Sequence, residues 1–267
     1  MRIPFYQVDA FTSQPFSGNP AAVCLLGEEQ LTDEEVLAIA AENNLAETAF
    51  LWPLNSGFRL RWFTPTVEVP LCGHATLASA NVLWESGRVP RQSTIRFQTL
   101  SGELTATAGT EGWIELNFPA RYGTPTTLPT EVQRALGSSP IAVVDMQDRY
   151  LVEVATEAEV RNLEPGLGLQ IGAHNVIVTS RAKADSPFDF ISRYFAPGYG
   201  VPEDPVTGSA HCCLATYWAH KLGKTDLLAY QASARGGVIR IKLQGDRVQL
   251  AGQAITLIEG TLRLLEE

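Results

Sequence analysis

Hydrophobic and polar positions alternate with a period of two along most of the chain, and a few segments break that rhythm. FYQVDAF, AAVCLL, ETAFLWPL and GFRLRWFTP read as strands, with Asn55-Ser56-Gly57 as a turn between the last two. STIRFQTLSGELTATAGTEGWIELNFPA reads as short strands joined by Ser-Gly and Glu-Gly turns. The period changes in LTDEEVLAIAAENN, where Val36, Leu37, Ala40 and Ala41 recur at helical spacing behind a Thr32/Glu35 capping box. LCGHATLASANVLWESG is a second helix, apolar on most faces, with Gly87 as its C-cap. In the second half, VQRALG is a short helix and IAVVDMQDRYLVEVA, HNVIVTSR and FDFISRYFAP read as strands. VRNLEPGLGLQIG has no regular period, DPVTGSAHCCLATYWAHKLG is an apolar helix, and GGVIRIKLQGDRVQLAGQAITLIEGTLRL closes the chain with β segments.

The two halves share a plan. FTPTVEVP (63–70) lies over FAPGYGVP (195–202) at an offset of 132 residues, matching Phe, Pro, Val and Pro. Three residues are then inserted, and CGHATLASA lies over TGSAHCCLA at an offset of 135, with Gly73 on Gly208, Ala75 on Ala210 and Ala80 on Ala215. The shared order of strand, Phe-x-Pro, Val-Pro, Gly-small and apolar helix predicts an α+β fold of two homologous lobes. Each lobe is a curved, mainly antiparallel sheet around one buried helix. The lobes are assigned to residues 1–118 and 119–267, the last about ten residues completing the first.

Composition narrows the function. With 20 Lys and Arg against 29 Asp and Glu the net charge is −9, and no basic run exists, which argues against nucleic acid as a partner. It does not argue against a small anionic metabolite, which backbone N–H groups can hold locally. No apolar run approaches the ~18 residues of a membrane helix, and MRIPFYQVDAF lacks the pattern of a secretory leader. Four cysteines, two of them adjacent, do not form a disulfide framework, so a cytoplasmic location is expected.

The candidate chemistry gathers at the two apolar helices. Both begin with small residues, Gly73 in one and Gly208 with Ser209 in the other. Small residues let a ligand approach the unpaired N–H groups and positive dipole end, and Ser209 could both cap and donate. Glu47 stands in a strand otherwise made of apolar residues and Thr. Desolvation there would raise its pKa to roughly 6–7, suited to general acid–base work; a solvent-facing strand Glu is the plainer alternative. Asp204 precedes a proline and a helix start and is either a turn residue or an active-site acid. At a helix start His74 is expected to stay neutral, as the helix field disfavours its cation. His174, His211 and His220 have no metal-site spacing with the cysteines, and no metal is expected. GKT at 223–225 lacks the first glycine of a P-loop, PGLGLQIG lacks a strand-to-helix setting, and Cys212-Cys213 reads as core.

Taken together, FTSQPFSGNPAAV, NNLAETAFL, LRWFTPTVEVPLCGHATLASA, VPEDPVTGSAHCCLATYW and QASARGGVIRI resemble the PhzF family of phenazine-biosynthesis isomerase-like proteins over nearly the whole chain. The resemblance implies a diaminopimelate-epimerase-like fold with the active site between two pseudo-symmetric lobes, often a homodimer, and no cofactor. It places Glu47 on the family's catalytic carboxylate, His74 and Asp204 on its supporting residues, and Asn19, Cys72, Gly73, Gly208 and Ser209 on substrate contacts. The implied activity is movement of a proton between carbons of a small carboxylate-bearing metabolite. Two-thiol epimerases of the same fold carry a cysteine in each lobe; here the mate of Cys72 is Thr207. An epimerase using Cys72 with another base, and a non-catalytic binding protein on the same scaffold, are the alternatives.

Overall fold

The computed structural model describes residues 1–27, 31–137, 139–164 and 174–264, so the glycine-rich part of VRNLEPGLGLQIG lies outside the described residues. The chain divides into two compact units, Met1–Asn117 with Ala251–Glu267, and Phe118–Leu250.

The first unit contains β1 (Arg2–Ala10), β2 (Asn19–Leu25), α1 (Asp33–Asn43), β3 (Glu47–Leu54), β4 (Gly57–Phe63), β5 (Glu68–Val69), α2 (Gly73–Glu85), β6 (Ile95–Thr99), β7 (Gly102–Ala108) and most of β8 (Ile114–Pro119). The second contains β9 (Thr124–Pro125), α3 (Thr130–Leu136), β10 (Ala142–Asp145), β11 (Tyr150–Glu153), α4 (Glu157–Arg161), β12 (Val176–Arg181), β13 (Phe190–Ala196), β14 (Val201–Asp204), α5 (Gly208–Leu222), β15 (Asp226–Gln231), β16 (Gly237–Gln244) and most of β17 (Arg247–Gly252). The closing strand β18 (Ala254–Arg263) returns to the first unit and pairs antiparallel with β1.

The duplication extends to strand order. β1–β2 and β10–β11 are antiparallel pairs. β2–β3 and β11–β12 are parallel, each spanning a helix capped by a Thr-x-x-Glu segment. β4–β6 and β13–β15 are again parallel, each spanning one of the apolar helices. The register fixes the correspondence. Thr48 faces Phe63 and Val176 faces Phe195, while Ala22 faces Thr48 and Tyr150 faces Val176. Glu47 therefore corresponds to Asn175, and Ala21 to Arg149.

One sequence match does not survive. Trp62 pairs with Val69, but its counterpart Tyr194 pairs with Asp204. The three-residue insertion thus lies in the turn before β14, and Val69-Pro70 corresponds to Asp204-Pro205, not to Val201-Pro202. An ion pair confirms this. Arg61 grips Glu68 through Nε and Nη2, both at 2.7 Å, and Arg193 grips Glu203 through the same atoms at 2.7 and 2.8 Å. Each guanidinium also lies over the phenylalanine two residues on, 4.8 Å from Phe63 and 5.1 Å from Phe195.

The helix α2 is buried on every face from Gly73 to Trp84 and packs against β1, β2, β3 and β18. Its large side chains, Leu77, Val82, Leu83 and Trp84, each contribute roughly 1.5–3 kcal/mol on burial. Its hydroxyls turn inward: Ser79 Oγ donates to the Ala75 carbonyl at 2.7 Å, and Thr76 Oγ1 to that of Cys72 at 2.5 Å. The helix ends at Glu85 with Ser86 as C-cap, so Gly87 sits one place beyond the expected cap, at φ 70°. The α5 helix starts at Gly208, later than its sequence suggests, because Asp204 ends β14. Among the described residues no helix is long and apolar enough to cross a membrane.

Candidate active site

The first unit gathers Asn19, Glu47, Cys72 and His74. The turn into β2 places Asn19. There Gly18 has φ +66°, and a Cβ on it would lie 2.2 Å from the Ala10 carbonyl oxygen, so only glycine fits. The Asp9 carboxylate accepts the Phe16 N–H at 2.8 Å and fixes the rest of the turn. Glu47 opens β3 beside Ala21 of β2, directly after α1 ends on left-handed Asn44. Asn43 Nδ2 donates to Thr48 Oγ1 at 3.2 Å and ties that junction down. Cys72 is the N-cap of α2, and His74 is its second residue.

His74 is the hub. It is 3% exposed, and its Nδ1 lies 3.1 Å from Asn19 Nδ2 and 3.5 Å from Cys72 Sγ. As the Asn19 amide is oriented, its nitrogen donates to Nδ1, which leaves the proton of the neutral ring on Nε2. Nε2 in turn lies 3.2 Å from Glu47 Oε2, without the angle of a formed hydrogen bond. Burial pushes the His74 pKa down to about 3, so the ring is neutral at physiological pH. The neutral imidazole expected from the helix field is present, but desolvation is the cause. The Glu47 side chain keeps 18% of its surface exposed, a half-buried acid that solvent or a ligand can reach.

Glu47, Cys72 and His74 offer ligand atoms within 4.8 Å of one another, a grouping that histidine and cysteine spacing did not disclose. The two ring nitrogens face different partners, so one ion would use only one of them.

The second unit gathers Asp204, Thr207, Gly208 and Ser209 at the start of α5. Thr207, not Ser209, is the N-cap, and its hydroxyl donates to Asp204 Oδ2 at 2.5 Å. Asp204 thus holds the cap residue and is not itself the cap. Gln231, fully buried, accepts the Thr207 N–H at 2.9 Å and donates to the Asp204 carbonyl at 2.7 Å. It opens QASARGG, a segment with no periodic pattern that would mark its one amide as buried. Ser209 Oγ accepts a hydrogen bond from Arg149 Nη1 at 3.0 Å. Neither α2 nor α5 has a side-chain cap bond or an acidic residue in its own first turn; the carboxylates beside their starts, Glu47 and Asp204, come from outside the helices. Cys212 and Cys213 are buried, and burial pushes the Cys212 thiol up to about 12, leaving it protonated and unreactive.

Among the described residues, the pairing of Glu47 with His74 is not repeated at the matching positions of the second unit. Where the first unit has Glu47, the second has Asn175, an amide that donates to the Asp148 carbonyl at 3.2 Å and accepts the Gly198 N–H at 3.2 Å. Where the first has His74, the second has Ser209.

An uncharacterized isomerase of Halalkalibacterium halodurans is 50% identical over 99% of this chain and 100% of its own. A crystal structure of a phenazine biosynthesis protein of the PhzF family from Enterococcus faecalis superimposes with a TM-score of 0.90 at 38% identity, covering 99% of this chain and 100% of that one. A hydroxyproline epimerase from Agrobacterium vitis, at 13% identity, shares the fold alone, with a TM-score of 0.63 over 98% of this chain and 92% of its own. The molecule is an isomerase on an epimerase-like α+β fold. The family described as phenazine biosynthesis-like protein, PhzC-PhzF, matches residues 8–260, and the chain belongs to it.

Proposed function

We propose that this isomerase moves a proton between carbons of a small carboxylate-bearing metabolite, with Glu47 as the single acid–base group. The observation that carries the reading is the approach of His74 Nε2 to Glu47 Oε2 at 3.2 Å, with the ring's other nitrogen held by Asn19. Glu47 takes a proton from a carbon next to an unsaturated or carbonyl system. That C–H bond breaks, and its electron pair spreads into the substrate. The same carboxyl then returns the proton at another carbon, so no net oxidation occurs and the acid is regenerated. His74 N–H and the start of α2 stabilise the negative charge that builds up in between. Catalytic hydrogen bonds often align only around the reacting group, which accommodates the present angle at His74.

Asn175 at the position matching Glu47 supports a one-base mechanism, since an amide cannot take the proton. The contact of Cys72 Sγ with His74 Nδ1 at 3.5 Å favours a second reading, an epimerase with a thiol base. A neutral imidazole gives little support to a thiolate, which weakens it. The test is deuterium incorporation from heavy water into a metabolite extract. Glu47→Gln is expected to cut it by ~10²–10⁴ and Cys72→Ser to spare it; exchange at the wild-type rate in Glu47→Gln would falsify the reading.

A further inference from the structure

We infer that Arg149 is a positioning residue that holds the Ser209 hydroxyl as a hydrogen-bond donor to a carboxylate at the start of α5. The inference rests on reading the substrate as a carboxylate. Arg149 is 6% exposed, so it is closed off from bulk solvent, whereas Ser209 keeps part of its surface open. The guanidinium is clamped on two other sides. Its Nε and Nη2 donate to Asp148 at 3.1 and 2.7 Å, and its plane lies 4.9 Å from the centre of the Tyr194 ring. Asp148 also takes a two-pronged grip from Arg121, at 3.1 and 2.8 Å, so one carboxylate serves two guanidinium groups. The third side of Arg149 is the bond to Ser209 Oγ.

That bond sets the polarity of the hydroxyl. Guanidinium has no acceptor, so Ser209 must aim its own proton elsewhere. Asp204, the acid at this helix start, accepts the Thr207 hydroxyl through Oδ2, and a ligand carboxylate supplies the acceptor for Ser209. A second buried donor stands nearby: the Tyr194 hydroxyl, 3% exposed, meets no hydrogen-bond partner among the described residues. The matching position in the first unit is Ala21, so this arginine is particular to the second.

The experiment titrates the full-length protein with acetate and benzoate and follows the Gly208 and Ser209 amide resonances. Ser209→Ala and Arg149→Met are each expected to weaken binding about tenfold, the scale of one charge-assisted hydrogen bond. The double variant is expected to bind no more weakly than Ser209→Ala alone, because Arg149 acts through the hydroxyl. Arg149→Lys keeps the charge but cannot grip Asp148 and Ser209 together. It is expected to lose several-fold, and it serves if Arg149→Met does not fold. No response of these amides in the wild type, unchanged affinity in a folded Arg149 variant, or additive losses would each overturn the inference. Carboxylate binding is expected to survive in Glu47→Gln. If that variant still exchanges protons at the wild-type rate, the function proposed above fails while the titration still judges Arg149.

Discussion

The starts of α2 and α5 are built alike and equipped differently. Each N-cap is extended, without a side-chain cap, and each N-cap carbonyl is bonded by the side chain four residues on: Thr76 Oγ1 at 2.5 Å in one, His211 Nδ1 at 2.7 Å in the other. Beyond that shared frame, the first unit sets an imidazole beside a half-buried acid. The second sets a hydroxyl beside a buried cation and anchors its cap to Asp204. On the proposed one-base mechanism, proton transfer needs one copy only, which leaves the other free to become a binding and positioning site.

The largest test of this division is Glu47→Gln. It is expected to cut proton exchange by ~10²–10⁴, the usual worth of a general acid–base group. An equal loss from a change at Ser209 would erase the distinction between the two copies.

The repeated ion pairs give the next largest effect. Arg193 and Glu203 are 5% and 13% exposed, and Arg193 also donates to the Leu163 carbonyl, whereas Arg61 and Glu68 are 12% and 24% exposed. Arg193→Met is expected to cost about 3–5 kcal/mol by stranding a buried carboxylate. Arg61→Met is expected to cost less, since Glu68 remains partly hydrated. Urea unfolding of the two variants ranks them, and equal losses would contradict the asymmetry.

Both helices carry a buried neutral histidine, His74 with its pKa pushed to about 3 and His211 to about 4. The unfolded chain takes up their protons near pH 6.5, so stability is full above that pH. It declines as pH falls, levelling off below about 4 for His211 and about 3 for His74. Each histidine contributes up to about 1.4 kcal/mol per pH unit in that window. His211→Gln is expected to flatten the decline of the urea midpoint between pH 6 and 4; an unchanged slope would mean the ring charges in place. The smallest effect compares the caps: Thr32→Ala on α1 and Thr156→Ala on α4 are each expected to cost about 1 kcal/mol in the same assay.

The sequence disclosed the repeat because apolar helices and Phe-x-Pro segments leave a local trace. The capping box at Thr32 and Glu35 formed as expected, with the Glu35 carboxylate accepting the Thr32 N–H at 2.7 Å. Glu47 stood out as a charge in an apolar strand and His74 as an imidazole among small residues. Arg149 left no such trace. An arginine after an aspartate in a hairpin looks like surface, and only packing against Tyr194 and Ser209 makes it buried. Gln231 was hidden for the same reason.

By itself the sequence determined the two-lobed plan and the strand and helix periods, and it singled out Glu47 and His74 as candidates for proton transfer, since these follow from local pattern and residue chemistry. The tertiary structure alone decided which groups surround the His74 ring, that Glu47 has an amide as its counterpart, and where the repeat slips by three residues. Those depend on strand register and on contacts between residues far apart in the chain, which no local pattern encodes.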